Sequence, residues 1–239
     1  MTGSSPPPEY RGRVSVIKRA AAEPAASRRR AVYLAAEYAV LFFGAVIGYY
    51  FLARGTTPIP VLVVLGVAAV AYLLRQSGFD RTSLWRPSAL RGQWRSVLLL
   101  WGLTAGLAAG VLAIARPELL LGLPRENLAV WALVMVFYPL LSVYPQELIF
   151  RAFLFHRYAP VFGGGAAMVG ASATAFGFVH IAFGNWVSVV LSFAGGWIFA
   201  TRYRRTRSLF AASVEHALYG MLMFTIGLGL FFYHGAAQG

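Results

Sequence analysis

Tyr144-Pro-Gln-Glu-Leu-Ile-Phe-Arg-Ala-Phe-Leu-Phe-His-Arg157 follows without a break on the apolar run Leu128 to Val143. A carboxylate and a guanidinium therefore stand where a hydrocarbon-spanning helix is expected to end. An ionisable side chain at membrane depth costs about 3 kcal/mol on insertion scales, and its presence is a functional-site hypothesis by default. Glu147 and Arg151 are four residues apart with the acid N-terminal to the base, so both lie on one face of a helix. Spacing alone leaves two readings open, a structural ion pair at the membrane boundary or part of a site.

Composition decides the class around this stretch. The chain has 239 residues, 59% of them hydrophobic and 12% charged, with a mean hydropathy of +0.64. Soluble domains carry about 25% charged residues, and so few charges could not cover a water-soluble surface of this size. The reading is an all-α, polytopic transmembrane helix bundle. Apolar segments of roughly the 17 to 25 residues that a spanning helix needs run over Ala31–Ala53, Pro58–Leu74, Ser96–Ala115, Leu128–Tyr144, Gly165–Phe183, Trp186–Ala200 and Leu209–Tyr233. They predict about seven spanning helices. Residues 1–30 are expected to be a disordered basic tail, since they offer too little apolar surface to fold alone, 31–126 the N-terminal transmembrane helices, and 127–239 the part that carries the motifs. No cysteine is present, which excludes disulfides, a thiol nucleophile and a thiolate metal site.

The net charge of +13 takes its meaning from where it falls. With the segments alternating, the tail (Arg11 to Arg30), the loop holding Arg75, Arg81, Arg86, Arg91 and Arg95, the motif with Arg151 and Arg157, and the loop from Arg202 to Arg207 share one side. Of the 21 Lys and Arg, all but Arg54, Arg116 and Arg125 lie there. The positive-inside rule makes that side cytoplasmic, with the amino terminus inside and the carboxyl terminus outside. The basic tail suits the anionic cytoplasmic leaflet, so the expected partner is the lipid bilayer and not nucleic acid. No internal repeat of transporter type is evident, which counts against a proton-coupled carrier.

Two further histidines lie inside apolar runs. His180 stands one turn after Phe176 in the fifth segment, and His216 follows Glu215 within the first two turns of the seventh. A carboxylate removed from water has a raised proton affinity and can take a proton from a water molecule, while a histidine orients that water or protonates a leaving nitrogen. A second histidine can donate to a developing oxyanion. The same Glu and two His could instead ligate zinc with water in the fourth position, although no His-Glu-x-x-His spacing is present. Each residue also has a plain reading: His180 as a satisfied bundle histidine, Glu215 and His216 as a buried structural pair. Glu37, Asn185, His156 and His234 are weaker candidates; Glu37 can snorkel, and the last two are expected at membrane edges. On these segment ends Glu147 lies at the cytoplasmic end of helix four and His180 nearer the outer end of helix five. One site therefore requires helix four to be longer or tilted, or helix five to start later.

Gln146-Glu-Leu-Ile-Phe-Arg151, Phe176-Gly-Phe-Val-His180 and Glu215-His216 resemble, in order, the three motifs of the CPBP family. These are the CAAX-protease and bacteriocin-processing intramembrane proteases, also called the Abi group. The family pattern is Glu-Glu-x-x-x-Arg, Phe-x-x-x-His and His-x-x-x-Asn across a four-helix catalytic core, here helices four to seven. The resemblance implies an integral protein of a bacterial inner (plasma) membrane that hydrolyses peptide bonds of membrane-associated proteins or peptides, with no covalent acyl-enzyme. The glutamic reading of the family requires no cofactor; the metallo reading makes zinc possible, on Glu147, His180 and His216. Carried over by motif, Glu147 and His180 activate water, His216 serves the oxyanion side and Arg151 closes the first motif. Gln146, Phe176, Glu215 and Tyr219, with Arg151, are supporting residues. Two positions depart. Gln146 stands where the family has the first glutamate, and Gly220 where it has the asparagine, a loss that Tyr219 is a candidate to make good. The departures motivate an alternative, a catalytically impaired relative that binds hydrophobic peptides in an immunity or scaffold role.

Overall fold

The computed structural model describes residues 27–53 and 56–232. Most of the tail, residues 1–26, and His234 lie outside the described residues. Seven principal helices follow one another: α1 (Ser27–Leu52), α2 (Ile59–Leu74), α3 (Trp94–Ala115), α4 (Leu128–Arg157), α5 (Ala166–Phe183), α6 (Trp186–Thr206) and α7 (Leu209–Ile226). Among the described residues there is no strand. Five of the seven, α1, α3, α4, α5 and α7, are long and apolar enough to cross a membrane. The other two miss for local reasons. α2 has 16 residues, and α6 ends in a basic turn holding Arg202, Arg204 and Arg205.

Packing gives the reason for the bundle. α1 buries Leu34, Tyr38 and Phe42 at four-residue intervals, one stripe of a helix, and the Tyr38 hydroxyl donates to the Ala171 carbonyl of α5 at 2.8 Å. α2 sets Gly66 against α4 so closely that a Cβ there would lie 3.0 Å from the Pro145 Cβ. α5 and α6 approach just as tightly, since a Cβ on Gly177 would meet the Phe193 Cβ at 2.8 Å. Small residues at such crossings let helix backbones close in on each other in lipid, where apolar side chains alone give no drive to associate. The outward faces are apolar: Leu99, Leu103, Leu107 and Ile114 of α3 are 64 to 88% exposed. A patch of that kind has no place on a soluble monomer and is ordinary against acyl chains.

Helix ends follow their capping residues. The side chains of Asn127, Asn185 and Ser208 accept from the backbone N–H of Val130, Ser188 and Ala211, which satisfies donors that the first turn leaves open. α7 stops at Gly227, whose φ of 109° no residue with a Cβ adopts without strain. The start of α1 corrects an expectation. Ser27 to Arg30 are helical, since Arg and Ala favour the helix, and the boundary expected at residue 30 was drawn from polarity alone.

α4 differs most from the reading of the sequence. It does not end at Tyr144 but runs 30 residues to Arg157. Two segments, Pro139–Val143 and Leu148–Phe153, adopt the wider π-helical turn, and the single α-turn Tyr144–Glu147 lies between them. Pro139 and Pro145 each withdraw a backbone donor, and π-turns accommodate such gaps within a continuing helix and recur at functional sites. The polar stretch is thus inside the helix, not past its end.

Candidate active site

Continuation of α4 removes the mismatch in depth. At 1.5 Å per residue, Glu147 lies about 15 Å inside the Arg157 end of α4, His216 about 10 Å into α7 and His180 about 21 Å into α5. Glu147 and His216 are therefore near one level, and His180 is deeper. The side chains confirm this. Glu147 is fully buried and His216 is 5% exposed; Nδ1 of His216 lies 2.9 Å from Oε1 of Glu147. A carboxylate only accepts, so Nδ1 carries the proton and the lone pair of the neutral ring is on Nε2. Phe199 of α6 stacks on the imidazole at 4.5 Å and 13°, and Phe176 meets it edge-on at 5.3 Å.

Arg151 is also fully buried. Its Nε approaches Oε2 of Glu147 at 3.2 Å as an ion pair. The approach is not aligned as a hydrogen bond: Oε2 of Glu147 and Nε and Nη2 of Arg151 have no hydrogen-bond partner. Nη1 donates to the Ser172 hydroxyl at 2.8 Å, and that hydroxyl donates to the Phe150 carbonyl at 2.7 Å. The guanidinium carbon stands 4.8 Å from the centre of the Phe176 ring, a cation–π geometry.

His180 is placed differently. Its Nδ1 donates to the Phe176 carbonyl at 2.7 Å, which leaves Nε2 as its free nitrogen. Its ring packs on Phe176 at 4.9 Å, so one phenylalanine touches both histidines and the arginine. No hydrogen bond joins His180 to Glu147 or His216. Phe183 and Phe232 cover its other side, at 5.6 and 6.0 Å, and Asn185 ties that cover down by donating to the Phe231 carbonyl at 2.9 Å.

The remaining candidates fall away from the centre. The Gln146 amide donates to Ser142 on its own helix at 2.7 Å. Glu215 faces α6, where Arg202 holds both of its oxygens at 2.8 and 2.9 Å. Glu37 pairs with Arg157 at 2.7 and 2.9 Å. Tyr219 packs on Phe199 at 5.8 Å and makes no bond to His216. His156 packs edge-on against Phe79 at 5.4 Å. Among the described residues, no group of three or more His, Cys, Asp and Glu side chains is placed to hold a metal ion. Glu147, with one oxygen on His216 and the other on Arg151, and His180, turned to its own helix, do not form a zinc-ligand set.

Sequence reading missed Tyr138, Ser172 and Phe199. Tyr138 reaches His216 from two and a half turns up α4, its hydroxyl 3.3 Å from Nε2. Gly220 was the available signal: a missing side chain beside a buried histidine asks what occupies its volume.

A buried carboxylate–imidazole pair, braced by an arginine inside a bundle of apolar helices, is an arrangement chemically suited to proton exchange. Residues 126–222, which hold the whole of this site from Tyr138 to Gly220, match the family model described as Type II CAAX prenyl endopeptidase Rce1-like. Over that segment the chain is similar to the CAAX-protease family that its motifs resemble. No curated protein and no solved structure matches the chain.

Proposed function

We propose that this protein is an intramembrane endopeptidase that cleaves membrane-associated proteins or peptides with a water molecule activated by Glu147 and His180. The observation that carries the reading is the fully buried Glu147 carboxylate, held by His216 at 2.9 Å and left with one oxygen that makes no hydrogen bond. That oxygen is the base. It takes a proton from water as the water oxygen attacks the peptide carbonyl carbon, and the proton passes on to the leaving nitrogen. His180 orients the water through Nε2. His216, when doubly protonated, presents Nε2–H to the developing oxyanion. His180 and Glu147 are not hydrogen-bonded to each other at rest, so in this reading the water bridges them. No step uses a metal, so cleavage is expected to survive a zinc chelator.

The face joined by Ser208 Oγ donating to the Arg86 carbonyl, Arg202 to Gln93 and Arg157 to Glu37 gathers the basic loops. We place it, with the amino terminus, on the cytoplasmic side of a bacterial inner membrane, facing the anionic leaflet.

Full-length protein in proteoliposomes, given a membrane-tethered peptide, tests this. Cleavage by the wild type and its loss in Glu147→Gln and in His180→Ala are expected; cleavage that survives both substitutions sinks the reading. One observation favours a second reading, a catalytically impaired protein that binds hydrophobic peptides: residue 146 is an amide hydrogen-bonded to Ser142 and not a second carboxylate in the site. If the wild type binds peptide without cutting it, and Gln146→Glu creates cleavage, that reading replaces the first.

A further inference from the structure

We infer that Tyr138 is a positioning residue for His216, occupying from α4 the space that Gly220 leaves on α7. A Cβ built on Gly220 would overlap the Tyr138 ring at Cε1, Cζ and the hydroxyl oxygen. The two residues are thus mutually exclusive: any side chain at 220 displaces the phenol, and the phenol fills the place of any side chain at 220. The hydroxyl lies 3.3 Å from Nε2 of His216, and the ring is further held against Phe224 at 5.4 Å and 68°.

Direction follows from the other end of the imidazole. Nδ1 is committed to Glu147 at 2.9 Å, and since the carboxylate only accepts, the neutral ring has its lone pair on Nε2. The Tyr138 hydroxyl is the donor to it. A chain of two hydrogen bonds therefore runs from the phenol through the imidazole to the carboxylate. It ties α4 to α7 at both ring nitrogens and fixes the imidazole plane together with the Phe199 stack. When His216 is doubly protonated the hydroxyl can no longer donate to Nε2; it accepts from Nε2–H until a developing oxyanion takes its place, so the phenol follows the proton state of the ring. Among the groups facing His216 are Glu147, Tyr138, Phe176 and Phe199, with Arg151 paired to the far oxygen of Glu147.

The catalytic consequence rests on the endopeptidase reading; the hydrogen bond does not. The experiment keeps the two apart by reading both on full-length protein in nanodiscs. The 15N chemical shift of His216 Nε2 reports the bond, and cleavage of a membrane-tethered peptide reports the consequence. Tyr138→Phe keeps the ring in place and removes only the donor. It is expected to move the Nε2 resonance toward that of an unbonded lone pair, to lower kcat roughly tenfold, as for one neutral hydrogen bond, and to shift the pH profile of kcat with little change in KM. Gly220→Asn alone is expected to cost activity because the phenol has nowhere to go, and Tyr138→Ala with Gly220→Asn to recover it relative to either single change, a non-additive cycle that marks contact. An Nε2 resonance unchanged in Tyr138→Phe overturns the proposal, whatever the activity. A moved resonance in a wild type that cleaves no peptide supports the Tyr138 bond and sinks the endopeptidase reading instead.

Discussion

Three arginine–glutamate pairs are buried or half-buried among these helices, and they are not alike. Arg202 grips both oxygens of Glu215 at 2.8 and 2.9 Å and spends its Nη1 on Gln93 and Ser96. Arg157 grips both oxygens of Glu37, with Tyr72 and Tyr158 completing the set. Arg151 meets Glu147 once, off line, and leaves three of the pair's polar atoms without a hydrogen bond. A buried polar group without a partner is costly, so evolution tolerates it where something else gains. The two saturated pairs are clamps that hold α6 to α7 and α4 to α1. On the endopeptidase reading, the unsaturated one keeps capacity for a reacting group.

The sharpest break of this comparison comes from neutralising each acid in turn. Glu147→Gln keeps the side-chain shape and is expected to lower cleavage per folded molecule by about 10²- to 10⁴-fold, the range for loss of a general base; because it also leaves Arg151 without its counter-charge, a lowered thermal midpoint accompanies that loss. Glu215→Ala should lower stability alone. It strands Arg202 among buried groups and is expected to cost about 3–5 kcal/mol of stability, read as a lowered unfolding midpoint in detergent, while the folded fraction keeps its specific activity. Replacing both partners, Arg202→Met with Glu215→Leu, should restore most of that stability, because the penalty belongs to the unpaired charge more than to the missing pair. Equal activity losses at Glu147 and Glu215 would dissolve the distinction between site and clamp.

Arg157→Lys is a smaller test of the same idea. The Glu37 clamp depends on a planar fork that lysine lacks, and it sits where its side chains are 26 and 16% exposed. A loss of about 1 kcal/mol or less is expected, with no change in kcat.

Much of this arrangement was legible in the chain. Seven apolar runs, nearly free of charge, located the seven principal helices; His180 and His216 stood out as titratable residues inside two of them, and Glu147 as a carboxylate just past the end of a third. What could not be read depends on backbone and on shape. Polar residues after Val143 look like a helix end, yet α4 continues because its carboxylate and guanidinium turn inward to each other and to Ser172. Glu215 sits next to His216 in sequence, but successive residues on a helix point about 100° apart, so it faces Arg202 and not the site. Pairing of Glu147 with His216, and not His180, comes from the relative depths of α4, α5 and α7, which no single segment encodes. Tyr138 was the least legible, an aromatic residue in an aromatic-rich helix whose role exists only through the side chain that Gly220 lacks.

The mildest effect is expected where an equally saturated pair lies in water. Asp80, in the loop between α2 and α3, accepts from the Thr82 backbone and hydroxyl at 3.0 and 2.7 Å and pairs with Arg86 at 2.6 Å, which makes it as well satisfied as Glu215. The Thr82 hydroxyl first, and then Arg86, hold its carboxyl below the usual carboxylate range. A depressed folded-state pKa contributes stability that is present above the unfolded value and lost as pH falls through the folded one. The cap on the short helical turn Arg81–Leu84 is therefore expected to loosen on acidification through and below the ordinary carboxylate range, seen as faster amide hydrogen exchange at Thr82 and Ser83. Asp80→Asn should give the same loosening at neutral pH without moving the global midpoint, because solvent screens the pair and stands in for each lost bond. A midpoint shift as large as that of Glu215→Ala would show that saturation itself, and not burial, sets the worth of a pair in this protein.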